Sequence, residues 1–150
     1  ATDNYKIYGC LYDWETALKV CPKGWHVPTD LEWKNLEMHL GLTQEEADGI
    51  GYRVTDQGIQ LKNSSVWDSG GNGTNTSGFS ALPGEDRQLI NGRSFGWPGS
   101  FGYWWSATEH YSLSFTAWCR RISHSNSGVG RYYLFSKADG FSVRCLRDNL

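Results

Sequence analysis

Apolar residues follow two periods along the chain, helical spacing in the first third and strand alternation in the last third. From Val27 to Gly41, a stripe of large apolar residues recurs at helical spacing: Leu31, Trp33, Leu36 and Leu40. Thr29 or Asp30 can cap the start of this segment, and Gly41 is a natural stop. The pattern therefore predicts a helix whose apolar stripe packs into the core.

The rest of the first half is less regular. Residues Tyr5 to Tyr12 alternate aromatic and small residues and predict a first strand, whereas Asp13 to Val20 predicts a short helix capped by Asp13. The span 43–61 predicts one more helical turn. Residues 62–77 are rich in Gly, Ser, Asn and Thr, which predicts a long loop.

The C-terminal third predicts a sheet. Phe101 to Glu109 is typical of a buried strand, and three later segments have period-two character separated by turn residues: LSFTAWCRRIS, GVGRYYLFS and GFSVRCLRD. They predict an antiparallel meander. Helices early and strands late indicate an α+β fold, and the absence of a repeat or linker indicates one domain over residues 1–150.

Composition excludes some function classes. The 150 residues carry a formal net charge of -2 and no long Lys/Arg cluster, so we expect no nucleic-acid partner. No apolar run approaches transmembrane length, so we expect no membrane insertion. The chain has 8 Trp, 8 Tyr and 18 Gly, a composition that favours aromatic anchors joined by many turns.

Candidate chemistry is sparse. No nucleophile–base arrangement and no nucleotide-binding loop is present, so we expect no catalysis and no cofactor. His26 is predicted to be a hydrogen-bonded structural residue, and His110 and His124 to be exposed loop residues. Asp68 and Asn72 offer too few oxygen ligands for calcium, which disfavours calcium-dependent sugar binding.

The four cysteines, Cys10, Cys21, Cys119 and Cys145, lack the close spacing of a zinc or redox motif. Four cysteines permit three pairings, and their positions in the chain do not choose among them. An oxidising compartment is a reasonable expectation.

Five motifs occur in a fixed order over nearly the whole chain: YGCLYDWETA, CPKGWHVPTDLEW, SGFSALPGE, FGYWWSATE and GFSVRCLRD. Together they resemble the Fibrobacter succinogenes major paralogous domain, a bacterial branch of the C-type-lectin-like fold. The resemblance implies two helices, a small mostly antiparallel sheet, long ordered loops and paired terminal strands. It also implies a disulfide between Cys21 and Cys145, with Cys10 and Cys119 as a second bridge or as two free buried thiols.

The family also serves as a scaffold for variable proteins of diversity-generating retroelements, and the resemblance implies a variable segment over about residues 101–145. Strand alternation would turn Trp118, Arg120 and Ile122 to the core, with the residues between them facing outward. The candidate ligand-binding residues are Tyr111, Phe115, Cys119, Arg121, Ser123, His124, Gly130, Tyr132, Tyr133 and Phe135.

The resulting expectation is a non-catalytic display domain that is exposed at a cell surface, secreted or carried on a virion. Its C-terminal face would bind a protein or glycan on another cell or virus. One alternative is a bacterial surface adhesion or structural module, in which Tyr132, Tyr133 and Phe135 pack beneath the long loop. A second alternative is a formylglycine-generating-oxidase-like enzyme, which would need a reactive Cys119 in a cleft.

Overall fold

The computed structural model describes residues 3–53, 55–88, 94–96 and 98–148, and these residues form an α+β fold. Its helices are α1 (Asp3–Tyr8), α2 (Trp14–Ala17), α3 (Asp30–His39), α4 (Gln44–Asp48) and α5 (Gln57–Leu61). Its strands are β1 (Trp25–His26), β2 (Gly51–Tyr52), β3 (Arg87–Gln88), β4 (Ser94–Phe95), β5 (Phe101–Glu109), β6 (Ala117–Ser123), β7 (Gly130–Tyr132) and β8 (Leu146–Arg147). Among the described residues, every helix is too short or too polar to span a bilayer.

A four-stranded antiparallel sheet in the order β2-β7-β6-β5 forms the centre of the domain. Two smaller antiparallel ribbons, β1-β8 and β3-β4, flank it. The predicted α+β class is therefore confirmed, and β5, β6 and β7 form the predicted meander. The expectation of two helices is wrong, because the described residues also form α1, α4 and α5. The third predicted segment does not join this meander: Phe141 and Ser142 make isolated bridges to Tyr12 and Trp104, and its strand β8 pairs with β1 instead.

The main helix α3 begins where its sequence predicts. Thr29 and Glu32 form a capping box, in which each side chain accepts a hydrogen bond from the other residue's backbone N–H. Trp33 is buried, and its indole N–H donates to the carbonyl of Trp105. Leu31 is 58% exposed, so its predicted place in the core is wrong. Two residues turn a helix by about 200°, so Leu31 and Trp33 lie on opposite sides.

The first predicted strand is also wrong, because the chain forms helix α1 there. Alternating aromatic residues form a strand only beside a pairing partner, and none of the described strands pairs with α1. Instead, Gly9, with φ +80°, ends the helix by donating its N–H to the carbonyl of Tyr5. Of the predicted strand, only Tyr12 joins a neighbour, through its bridge to Phe141.

Core clusters pack against both faces of the central sheet. One face packs a cluster of residues from the sheet, from α2 and from the C-terminal segment: Trp14, Ala17, Tyr103, Trp105, Ala117, Cys119 and Phe141. The other face packs a second cluster, contributed in part by α3 and α5: Trp33, Leu61, Trp67, Ala81, Trp104, Ile122 and Val129. The prediction that one face is core and the opposite face is open to solvent is therefore wrong.

Five charged side chains form a buried network that fixes α3 to the sheet. Asp30 accepts hydrogen bonds from Arg120 at 2.8 Å and from Arg131 at 2.7 Å. Glu37 contacts Arg120 at 2.6 Å and Arg53 at 2.7 Å. Burial alone would raise the pKa of Asp30, but hydrogen bonds and charge from the two arginines hold it below its usual range.

The segment between α2 and α3 is joined to the C-terminal segment covalently and by hydrogen bonds. Cys21 and Cys145 form the disulfide that the resemblance implied. His26 contacts Asp148 at 2.6 Å and Glu32 at 3.0 Å, and these two partners raise its pKa despite partial burial. The prediction of a hydrogen-bonded His26 is confirmed. Both predicted states of the remaining cysteines are wrong, since both are free but Cys10 is exposed and only Cys119 is buried.

Candidate functional site

The ten predicted ligand-binding residues fall into three groups by exposure. Tyr111 and Phe115 are exposed, at 92% and 65%. Five are partly buried: Arg121, His124, Tyr132, Tyr133 and Phe135. Three are buried: Cys119, Ser123 and Gly130. The last three cannot contact a ligand from inside the fold, so their predicted exposure is wrong.

Packing explains two of the three buried positions, Cys119 and Gly130. Cys119 lies in the core cluster that includes Trp14 and Phe141, which cover the sheet face predicted to be open. At Gly130 an added Cβ would lie 2.4 Å from a ring carbon of Tyr132, so the ring would have to move to admit any side chain. These positions are therefore poor places for sequence variation.

The first candidate site is an arginine cage, defined as Arg121 and the rings of Tyr52, Phe101, Tyr103 and Tyr132. The guanidinium carbon lies 4.7 Å from the ring centroid of Tyr132, and 4.9 Å from that of Tyr52. It lies 5.4 Å and 6.0 Å from the centroids of Phe101 and Tyr103. These distances are within the range of cation–π attraction, so the rings hold the cation in place.

Hydrogen bonds further fix the orientation of the guanidinium. Arg121 Nε donates to the phenol oxygen of Tyr52 at 3.0 Å, and Arg121 Nη2 donates to that of Tyr132 at 3.1 Å. Burial raises the pKa of Tyr52 and of Tyr103, which keeps both phenols neutral. The cage therefore orients the arginine without neutralising its charge.

No described carboxylate forms an ion pair with Arg121, whereas Arg53, Arg120 and Arg131 each have one. Asp86 interacts electrostatically with Arg121, but its pKa is raised mainly by burial and its carboxylate accepts a hydrogen bond from Gln88. The charge of Arg121 is one of the weaker influences on Asp86. Arg121 thus keeps its full positive charge at a partly exposed position.

The second candidate site is an aromatic tip, defined as Tyr111, Phe115 and Tyr133. Tyr133 stacks on His110 with ring centroids 4.1 Å apart, and His110 contacts Tyr111 at 4.5 Å. Phe115 lies on the same connection between β5 and β6. His110 is buried under these rings, so its predicted exposure is wrong, whereas His124 is partly exposed.

Ring contacts link the cage and the tip to different neighbours. Tyr132 contacts Phe135 at 6.2 Å on the cage side, whereas Tyr133 contacts Trp118 at 5.0 Å on the tip side. Successive residues of an extended chain point in opposite directions, which separates the two tyrosines. The predicted single face is therefore two separate surfaces. Phe135 packs on Tyr103 and Phe141 rather than beneath the 62–77 loop.

Cysteine chemistry has little support in this geometry. Cys119 is fully buried, and burial raises the pKa of its thiol to about 12. Cys145 is already bonded to Cys21. An oxidase-like site would need an accessible thiolate, and Cys119 does not provide one.

The described residues contain no group of three or more His, Cys, Asp or Glu side chains placed to hold a metal ion. The two candidate oxygen ligands of the long loop have internal partners. Asp68 accepts a hydrogen bond from the Ser100 hydroxyl at 2.9 Å, and the side-chain oxygen of Asn72 accepts one from the Trp67 backbone at 3.0 Å.

A buried lysine provides a positive charge beside this loop. Lys62 Nζ donates to the carbonyls of Gly71 at 3.1 Å and Asn126 at 3.0 Å. It also lies 5.4 Å from the ring centroid of Trp67. Burial lowers the pKa of Lys62. The ammonium group thereby connects the long loop to the turn after β6.

Sequence reasoning missed a cleft of about 610 Å³ between α1 and the β3-β4 ribbon. Its walls include the aromatic residues Tyr5, Tyr8 and Phe95. No sequence signal located this cleft, because the residues of α1 alternate like a strand and their wall exists only in the helical form.

The described residues therefore form an α+β domain whose candidate ligand-contacting residues lie on loops and on strands of the central sheet. The chain belongs to the Fibrobacter succinogenes major domain family, whose model matches residues 1–147. None of the curated proteins and none of the solved structures matches the chain.

Proposed function

We propose that this chain is a non-catalytic ligand-binding display domain with a C-type-lectin-like fold. It binds a protein or glycan on another cell or virus, and it acts at a cell surface, in secreted form or on a virion. The family match supports this proposal, as does the disulfide, which suits an oxidising compartment.

The exposure of the aromatic tip is the observation that carries the proposal. Tyr111, at 92%, is the most exposed large hydrophobic residue of the part of the chain that the structure describes, and Phe115 is 65% exposed, close to the 66% of Phe95. Leu134, which follows Tyr133 in the chain, is also exposed. Exposed apolar groups beside one another mark interaction surfaces, and tyrosine supplies a large rigid contact area with a polar end.

The test is binding to a glycan array and to surface proteins of candidate partner cells or viruses. We expect the wild-type domain to bind a defined subset of these targets. The double variant Tyr111→Ala, Phe115→Ala should lose at least about tenfold in affinity, since aromatic anchors dominate interface energetics. Both side chains are exposed, so the variant should unfold at the wild-type temperature.

The matched control is Leu31→Ala, Ile50→Ala, which removes apolar side chains of comparable exposure, 58% and 59%, from other parts of the surface. This variant should bind as the wild type does. Equal losses in both double variants would show nonspecific hydrophobic adsorption. Full binding by the Tyr111→Ala, Phe115→Ala variant would show that the aromatic tip is not part of the binding site.

We also propose that the C-terminal segment is diversified by a retroelement. The test is a search of the neighbouring DNA for a near-copy of the codons for residues 101–148 that differs only at adenines. We expect such a copy beside a reverse transcriptase gene, with differences at the codons of Tyr111, Phe115 and Arg121 but not at the buried Gly130. Neighbouring DNA without a copy would leave a binding domain of fixed sequence.

The adhesion or structural module is the second candidate, and the buried positions favour it. Cys119, Ser123 and Gly130 lie inside the fold and cannot belong to a continuous recognition surface. A module of this kind would show no selective target on the arrays, and its tip variant would behave like the wild type.

A further inference from the structure

We infer that the arginine cage is a recognition site for a carboxylate-bearing saccharide, with the Arg121 guanidinium binding the carboxylate. The inference rests on the proposed ligand-binding function and adds a ligand class at a surface distinct from the aromatic tip. It starts from an imbalance of charge. Arg121 has phenol partners but no ion pair with a described carboxylate, whereas the buried arginines Arg53, Arg120 and Arg131 are all paired.

The geometry of the donors favours a carboxylate. A guanidinium has five N–H donors in one plane, and the phenols of Tyr52 and Tyr132 take two of them. The donors that remain lie at a partly exposed position, where a planar carboxylate can accept two parallel hydrogen bonds. Because the rings already fix the guanidinium, little conformational freedom is lost on binding.

The surroundings favour a sugar ring over an acidic peptide. The partly buried rings of Tyr52, Phe101 and Tyr132 border the cation and offer apolar surface to the C–H groups of a pyranose. The rings of His124 and Phe101 contact each other with centroids 6.3 Å apart, so an imidazole that can hydrogen-bond a sugar hydroxyl lies beside the cage. An Asp or Glu side chain would reach the arginine but would leave these rings uncovered.

The net charge of the domain also affects how an acidic ligand would be bound. At -2 the domain as a whole does not attract polyanions, so any acidic ligand must be held by local contacts. Binding at the cage should therefore depend on one arginine. It should also weaken less with added salt than binding to a broad basic surface.

The experiment is a titration of the domain with a glucuronate trisaccharide, followed by calorimetry and by the NMR signal of the Arg121 side-chain Nε–H. We expect saturable binding and a shift of that signal. The methyl ester of the same trisaccharide, which has no charge, should bind at least about tenfold more weakly. Arg121→Lys keeps the charge without the planar donors and should weaken binding at least about tenfold.

The matched control is Arg147→Gln, which removes an exposed arginine of β8 and should bind normally. If Arg121→Lys does not fold, the wild-type Nε–H signal still decides the question. No saturable binding, an unshifted Nε–H signal, or equal binding of acid and ester would overturn the inference. Tighter binding of an oligoglutamate peptide would overturn the saccharide class.

A variant of the aromatic tip distinguishes this inference from the proposed function by experiment. The variant Tyr111→Ala, Phe115→Ala should bind glucuronate like the wild type, because the two surfaces share no ring contact. Loss of the array target in that variant, together with no glucuronate binding by the wild type, would leave the proposed function standing and the cage inference wrong.

Discussion

Asp30→Asn is expected to lower the free energy of unfolding by about 3–5 kcal/mol, the range for removing one partner from a buried ion pair. The substitution keeps the shape of the side chain but leaves Arg53, Arg120 and Arg131 with the single carboxylate of Glu37. The uncompensated positive charge lies under α3, away from water. Urea unfolding at neutral pH measures the loss.

Two variants distinguish charge balance from packing. Asp48→Asn removes a carboxylate that is paired with Lys34 at 2.7 Å but is half exposed, and it should cost much less than Asp30→Asn because solvent screens the pair. Arg120→Met leaves two arginines and two carboxylates, so it should cost less than Asp30→Asn although it removes a larger side chain. The reverse order would show that packing outweighs charge in this network.

The same network determines one part of the acid response. The pKa of Asp30 is lowered in the fold, so its contribution to stability is present above its unfolded value of about 4. That contribution is lost as the pH falls through the folded pKa. The free energy of unfolding, measured from pH 6 downward, should therefore decline more steeply in the wild type than in Asp30→Asn, in which position 30 no longer titrates.

Reduction of the disulfide between Cys21 and Cys145 is expected to lower the free energy of unfolding by about 4–5 kcal/mol in the chain-entropy model. The bond joins residues 124 positions apart, so it restricts nearly the whole unfolded chain. Many of the elements it constrains are short, with two-residue strands in both flanking ribbons. Urea unfolding with and without a thiol-free reductant measures the difference.

The control is Cys10→Ser, which removes an exposed free thiol and should leave the unfolding midpoint unchanged. The reductant should shift this variant as much as the wild type. A large loss in Cys10→Ser would assign stability to a thiol outside the disulfide. An unchanged wild type under full reduction would show that the β1-β8 ribbon holds the N-terminal and C-terminal segments together without the bond.

The sequence predicted those features that depend on local chemistry. Thr29 and Glu32 lie at the spacing of a capping box, and α3 begins there. Trp104, Trp105 and Trp118 are buried as their bulk and their place in strands suggested. The pairing of Cys21 with Cys145 came from the family resemblance, since position in the chain alone left three pairings open.

The features that were missed depend on tertiary neighbours. Strand alternation separated Arg120 from Cys119 and Arg121, but it could not show that Phe141 and Trp14 cover the second face. The arginine cage needs Tyr52, which lies 69 positions before Arg121 and reaches it only through the β2-β7 pairing. A period of two shows that side chains alternate, but it does not show which face meets water.

Lys62 makes the structure of the long loop independent of the ions in solution. In loops that are ordered by metal binding, backbone carbonyls bind a dissociable cation. In this loop the carbonyls of Gly71 and Asn126 instead bind the ammonium group of Lys62, the residue after α5. A tethered ammonium group cannot be diluted away or removed by a chelator. The segment from Lys62 to Ser77 can therefore keep its shape in solutions of very different ionic composition.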